Sequence, residues 1–91
     1  MRYIVCYDVS SPRRLARIAR ILERYGVRVQ RSFFCCDLTV SELLRMKEAL
    51  LPELDVLQDR LAFFPLCEKC FSQRLEAGKL VDLEIHSFQI L

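Results

Sequence analysis

The chain has 91 residues, 53% of them hydrophobic, and 14 basic against 12 acidic side chains for a formal charge of +2. This length makes one domain, residues 1–91, near the lower end of what buries an adequate core alone; the hydrophobic content excludes a disordered polymer and, on so short a chain, favours a homodimer. No apolar run approaches the roughly 20 residues of a membrane span, and Tyr3–Val9 is too short for a secretory signal and lacks a cleavage pattern, so a cytoplasmic protein without a membrane partner is expected.

Charge is unevenly spread along the chain. Residues 1–31 hold eight arginines (Arg2, Arg13, Arg14, Arg17, Arg20, Arg24, Arg28 and Arg31) against Asp8 and Glu23, a local net of +6, whereas residues 32–91 net −4. Arginine is the side chain best suited to forked contacts with phosphate. The asymmetry therefore points to a phosphate-bearing partner, with a solvated helix face as the plainer alternative.

The first element is a strand, Arg2–Val9, near-continuously apolar and ending on a carboxylate. Alternation places Tyr3, Val5 and Tyr7 on one face and Ile4, Cys6 and Asp8 on the other. A helix over 12–25 follows, with Ser11 as N-cap, Pro12 at the first helical position and Gly26 as C-terminal cap. Its apolar stripe is Leu15, Ile18, Leu22 and Tyr25, widened by Ala19 and Ile21. On another face Arg13, Arg17, Arg20 and Arg24 follow 4-3-4 spacing and form one basic ridge, with Arg14 beside it. A strand starting at Val27 and a second at Phe33–Leu38 come next. Arg31-Ser32 is a poor hairpin turn because neither residue favours positive φ, so a bulged single strand is the alternative.

A second helix is expected over 41–51, capped by Thr39 or Ser41, ended by Pro52, and buried through Leu43, Leu44, Met46, Leu50 and Leu51. Leu57–Phe64 reads as a strand stopped by Pro65, residues 66–77 as an irregular or short helical segment, and Val81–Ile85 as a half-buried strand. The apolar tail Phe88, Ile90 and Leu91 suits a partner surface. The order β-α-β-β-α-β plus one strand is the ferredoxin-like α+β plan: an antiparallel sheet with two helices on one face and an additional C-terminal strand, about 81–91, available to pack on a partner subunit.

Asp8 stands out because Ser10 and Ser11 suffice to cap the helix, leaving its carboxylate spare; the plainer reading is a surface charge. One carboxylate is too few for a two-metal phosphodiesterase, but a two-fold axis supplies a second copy. Ser10 and Ser11 are candidates for a supporting role toward phosphate or water, though capping explains them. His86, the only histidine, lies on the polar side of the last expected strand and reads first as a surface residue. No aromatic residue interleaves the arginine ridge, which favours backbone contact over stacking on bases. Cys67-Glu68-Lys69-Cys70 is a lone CxxC; four ligands make a structural zinc site, and Cys35-Cys36 could complete one only through folding or dimerisation. The five cysteines, an odd count, read as thiols, with those of the CxxC as small buried residues. The adjacent pairs Phe33-Phe34 and Phe63-Phe64 should each put one ring in the core and one on the opposite face.

The ordered set of motifs resembles the small CRISPR-associated protein of the adaptation module, the Cas-two family. The residues that carry the resemblance are Tyr7-Asp8-Val9-Ser10 after an apolar strand, Arg13-Arg14 opening a basic helix, Tyr25-Gly26-Val27-Arg28-Val29-Gln30 with Ser32-Phe33-Phe34, then Leu38-Thr39, and Phe64-Pro65-Leu66-Cys67-Glu68-Lys69-Cys70. The resemblance implies a ferredoxin-like homodimer in which Asp8 faces its own copy across the two-fold axis and holds a divalent metal, usually magnesium (Mg2+). It implies a metal-dependent endonuclease on RNA or double-stranded DNA, with Asp8 as catalytic residue. The alternative role it implies is a non-catalytic dimer that binds duplex DNA and bridges integrase dimers of the Cas-one family during spacer acquisition. Arg13, Arg14, Arg17, Arg20, Arg28 and Arg31 are the candidate nucleic-acid contacts. Relatives often carry an acid in the segment matching Phe34-Cys35-Cys36, where the first acid here is Asp37.

Overall fold

Seven residues, Arg2–Asp8, form β1, and every other strand of the sheet is placed by it directly or through one neighbour. The computed structural model describes residues 1–75 and 77. Within them lie α1 (Pro12–Glu23), β2 (Gly26–Gln30), β3 (Phe33–Asp37), α2 (Val40–Leu50), β4 (Arg60–Leu66) and a short α3 (Glu68–Ser72). The sheet order is β2-β3-β1-β4 with antiparallel pairing throughout, the ferredoxin-like arrangement. The expected C-terminal strand about 81–91 and His86 lie outside the described residues.

β1 is central, paired along both edges, and its run from Tyr3 to Tyr7 is apolar on both faces. Val5 and Tyr7 are buried, and with Phe34, Cys36, Leu38, Ile18, Leu22, Met46 and Leu50 they form the core beneath α1 and α2. The two phenylalanine pairs split as alternation requires. Phe34 is fully buried while Phe33 is exposed, and Phe63 packs against the core while Phe64 is exposed.

The helices start where capping chemistry directs. The Ser11 hydroxyl accepts from the Arg14 N–H, and Thr39 with Glu42 makes a reciprocal capping box (3.1 and 2.9 Å), which selects Thr39 over Ser41. Pro52 does not end α2 abruptly; one 3₁₀ turn, Leu51–Glu53, carries the chain through it. Leu44 and Leu51, expected on the buried side, are exposed, because Met46 and Leu50 already fill the layer over the sheet. α1 is shorter than expected: Tyr25 lies beyond it and Leu15, at its first turn, is exposed.

Three further expectations are corrected. Gly26 is the first residue of β2 rather than a helix cap. A Cβ there would collide with the Cys35 carbonyl oxygen and the Cys36 sulfur, so its role is close approach of β2 to β3. β4 begins at Arg60, not Leu57, and continues through Pro65 to Leu66. Pro65 is tolerated because β4 is an edge strand of the described sheet. Residues 56–58 instead form a turn, closed by the Asp59 N–H donating to the Asp55 carbonyl at 2.8 Å. Finally, the alternatives for residues 27–38 are both realised in part. β2 and β3 are separate strands, and a bulge lies between Arg28 and Gln30. The Arg31-Ser32 turn needs no glycine to be held. Tyr7 donates from its N–H to the Ser32 carbonyl (3.2 Å) and from its hydroxyl to the Arg31 carbonyl (2.9 Å).

Because the Gly26 position is closed by backbone as well as side chain, Gly26→Ala is expected to cost roughly 1–3 kcal/mol. Urea unfolding followed by circular dichroism measures it; an unchanged midpoint would show that β2 does not need this approach.

Candidate functional site

Asp8 closes β1, and strand alternation aims it at the sheet face that carries no helix of the core, beside Cys6. It is exposed and sits directly opposite Arg60 of β4. It borders a shallow groove of about 460 Å³ floored by Cys6 and Ala62 and walled by Phe33, Phe64 and Arg60. It also borders a second depression of about 420 Å³ with Leu15, Arg31 and Ser32. The carboxylate therefore stands between two arginine-bearing hollows, next to an apolar surface on which Phe33 is 41% and Phe64 54% exposed. The far end of this face is covered. Arg2 donates from Nε to Glu68 Oε1 of α3 (3.2 Å), and the guanidinium groups of Arg2 and Arg74 lie 3.9 and 3.8 Å from the buried Phe71 ring.

The chain just after Asp8 is fixed by one buried carboxylate. Asp59 has no exposed side-chain surface and accepts a fork from Arg14, Nε to Oδ2 at 2.8 Å and Nη2 to Oδ1 at 3.0 Å. It also accepts from the N–H groups of Ser10 (3.2 Å) and Asp55 (3.0 Å). The Arg14 guanidinium, with these two backbone donors, holds the Asp59 carboxyl well below the usual carboxylate range. Ser10 is drawn into the same cluster, its hydroxyl donating to Gln58 Oε1 (3.3 Å) and accepting from Arg14 (3.4 Å). Ser10 and Ser11 are thus engaged in fixing the turn and capping α1.

The arginines divide by partner. Arg14 is committed to Asp59. Arg17 pairs with Glu53 (2.9 Å) yet is half exposed, and Arg28 lies near Glu23 (3.6 Å) and over the Phe34 ring. Arg13, Arg20, Arg24 and Arg31 are exposed and form no ion pair among the described residues. The ridge is continuous on α1, but its unengaged members are Arg13, Arg20 and Arg24.

Among the described residues no three His, Cys, Asp or Glu side chains meet to hold a metal. Among the described residues Asp8 is the only carboxylate bordering either hollow. Asp37 is at the opposite end of β1, paired in register with Arg2 and 3.5 Å from the N-terminal ammonium. One copy thus offers one carboxylate, which fits a magnesium ion only when a second copy supplies another and water completes the shell. Cys35 and Cys36 are buried, whereas Cys67 and Cys70, expected to be buried, are exposed on the first turn of α3.

Two residues of the site escaped the sequence. Arg60 is brought to Asp8 only by the β1–β4 register, and Asp59 reaches Arg14 from 45 residues away. Each needs a long-range pairing that no local pattern encodes.

Fold and site together define a small ferredoxin-like α+β protein with an exposed carboxylate at the end of its central strand and a basic first helix. Residues 1–74 match the family described as CRISPR associated protein Cas2. A protein of Rhodospirillum rubrum named CRISPR-associated endoribonuclease Cas2 4 is 32% identical over 85 residues, 93% of this chain and 68% of that one. A Chloroflexus aurantiacus protein, CRISPR-associated endoribonuclease Cas2 1, is 38% identical over 80% of each chain. The crystal structure of Streptococcus pyogenes Cas2 superposes with a TM-score of 0.71 at 34% identity, covering 75% of this chain and 88% of that one. The chain belongs to the Cas2 family.

The clamp has a pH signature. A carboxyl whose folded pKa is depressed stabilises the fold fully above its unfolded value, near 4, and loses that contribution as pH falls toward the folded value. Asp59→Asn should therefore lower the thermal midpoint by several degrees at pH 7. The gap from the wild type should narrow progressively below about pH 4. Differential scanning fluorimetry across pH reads both, and a gap that stays constant into acid would dismiss the ionic clamp.

Proposed function

We propose that this protein is a homodimeric, magnesium-dependent endonuclease of CRISPR spacer acquisition, acting in the cytoplasm on RNA or double-stranded DNA, with Asp8 of each copy as catalytic and metal-holding residue. The observation that carries the reading is the position of Asp8. It is exposed at the end of a buried central strand, on the rim of a face whose exposed Phe33 and Phe64 suit burial against a second copy. Self-association through that face sets two Asp8 carboxylates near one axis. The relatives' names support ribonucleolysis.

In this reading the two Asp8 side chains hold the ion, magnesium or another divalent metal. When bound, such an ion activates water and offsets charge developing on the phosphate. Arg60 and Arg31, on either side of Asp8, meet the phosphate whose ester is cut. The clamp of Asp59 on Ser10 keeps the turn after Asp8 from shifting, so the carboxylate is delivered from a fixed backbone. Arg13, Arg17, Arg20 and Arg24 track the nucleic-acid backbone without reading bases, Arg28 lies at its margin, and Arg14 acts through the fold.

A second reading, a non-catalytic scaffold that holds duplex DNA between integrase dimers of the Cas-one family, is favoured by the same ridge. Its unengaged arginines would be doubled by a two-fold axis, as a duplex requires.

Cleavage of labelled RNA and duplex DNA with magnesium, wild type against Asp8→Ala, separates the two. Loss of at least about a hundredfold in rate supports the enzyme. Equal rates refute it and leave the scaffold. The triple change of Arg13, Arg20 and Arg24 to Ala should reduce the salt dependence of binding by about two to three released counterions. An unchanged salt slope would remove the ridge from the interface.

A further inference from the structure

Cys67 and Cys70 are the two cysteines that the fold leaves in solvent. Cys67 caps α3, its sulfur accepting from the Cys70 N–H at 3.3 Å. That bond brings the Cys67 sulfur to the Cys70 backbone, three residues on in the same turn. Positions three apart on one helical turn have Cα atoms within the span of about 4.4–6.8 Å that a disulfide bridges.

We propose that Cys67 and Cys70 are a redox-active dithiol, oxidised by small-molecule disulfides to an intramolecular disulfide across the first turn of α3. The Cys67 thiolate attacks one sulfur of the small disulfide, forming a mixed disulfide and expelling the other half as a thiolate. Cys70 then loses its proton to solvent and attacks the Cys67 sulfur. The protein disulfide forms, and the second half of the small molecule leaves as a thiolate. Two protein thiols are oxidised and one small disulfide is reduced to two thiols.

The surroundings assign the roles. Hydrogen bonds from the Cys70 N–H and thiol hold Cys67 below the ordinary thiol range, the mark of the attacking member. Donation to Cys67 and its nearby charge push Cys70 up, as suits a resolving thiol that acts second. The remaining cysteines are poor competitors. Cys35 and Cys36 are buried in β3, with Cys36 pushed up to about 12 by burial, and burial also raises Cys6. The bond would staple the turn that carries Phe71, whose ring lies against Arg2 of β1.

The test uses the full chain, reduced, freed of reductant and titrated with oxidised against reduced glutathione. Samples are quenched by alkylation and digested with trypsin. Trypsin cuts after Lys69, between the two cysteines, so the disulfide appears as peptides 61–69 and 70–74 joined and separable by reductant. The joined pair should accumulate while Cys6, Cys35 and Cys36 remain alkylated. Cys70→Ser should stop at glutathione bound on Cys67, and Cys67→Ser should react at least about tenfold more slowly. The proposal is overturned if Cys67 and Cys70 stay alkylated at every ratio, or if the two single variants react alike. A tightly bound soft metal ion blocking both thiols in the purified protein would overturn it equally.

Discussion

The constraint on which the structure depends is that β1 is paired along both edges. β3 and β4 each align against it, and these registers decide what meets what. Arg60 stands opposite Asp8, Phe64 opposite Ile4, and Asp37 opposite Arg2 at the far end. A slip of one residue in either pairing would exchange the two faces, sending Phe34 or Phe63 to solvent and the outer phenylalanines into the core. Burial of Val5, Tyr7 and Phe34 therefore fixes the surroundings of Asp8 as well as the fold. The same strand also secures the β2–β3 turn, since Tyr7 donates to both of its carbonyls. Arg31 is thus held beside Asp8 by a side chain of the core.

Within that frame, one ion pair separates structural from available charge on α1. Arg13 and Arg14 are adjacent and chemically identical, yet Arg14 is forked onto a fully buried carboxylate and Arg13 is exposed. The buried Asp59 is satisfied by four donors, two of them backbone N–H groups, which is what makes a charge acceptable there. The consequence for the proposed interface is a narrower positive stripe than the composition suggests. An arginine already engaged in a fork has no second fork to offer a phosphate.

Much of this was legible in the sequence because the signals were local. The apolar run before Asp8, the Ser11-Pro12 start, the Thr39–Glu42 box and the split phenylalanine pairs all follow from periodicity and capping chemistry. What was not legible depended on distant partners. Val56 and Leu57 read as strand by composition, but Asp55 and Asp59 close a turn there and leave Leu57 91% exposed. Pro65 reads as a stop, and the edge position of β4 in the described sheet makes it acceptable. Cys67 and Cys70 read as small apolar fillers; they are exposed because Phe71, one residue on, is the side chain that α3 buries.

The open face of the sheet gathers these strands of argument. Its Arg2 end is covered by α3, through Phe71 and the Arg2–Glu68 pair, while among the described residues nothing covers its apolar Asp8 end. Covering one end within the chain leaves the Asp8 end as the surface that the proposed second copy would use. A partner seated there would bring the carboxylates together instead of the opposite ends of β1. The dithiol and the carboxylate lie at opposite ends of one face, joined by the central strand.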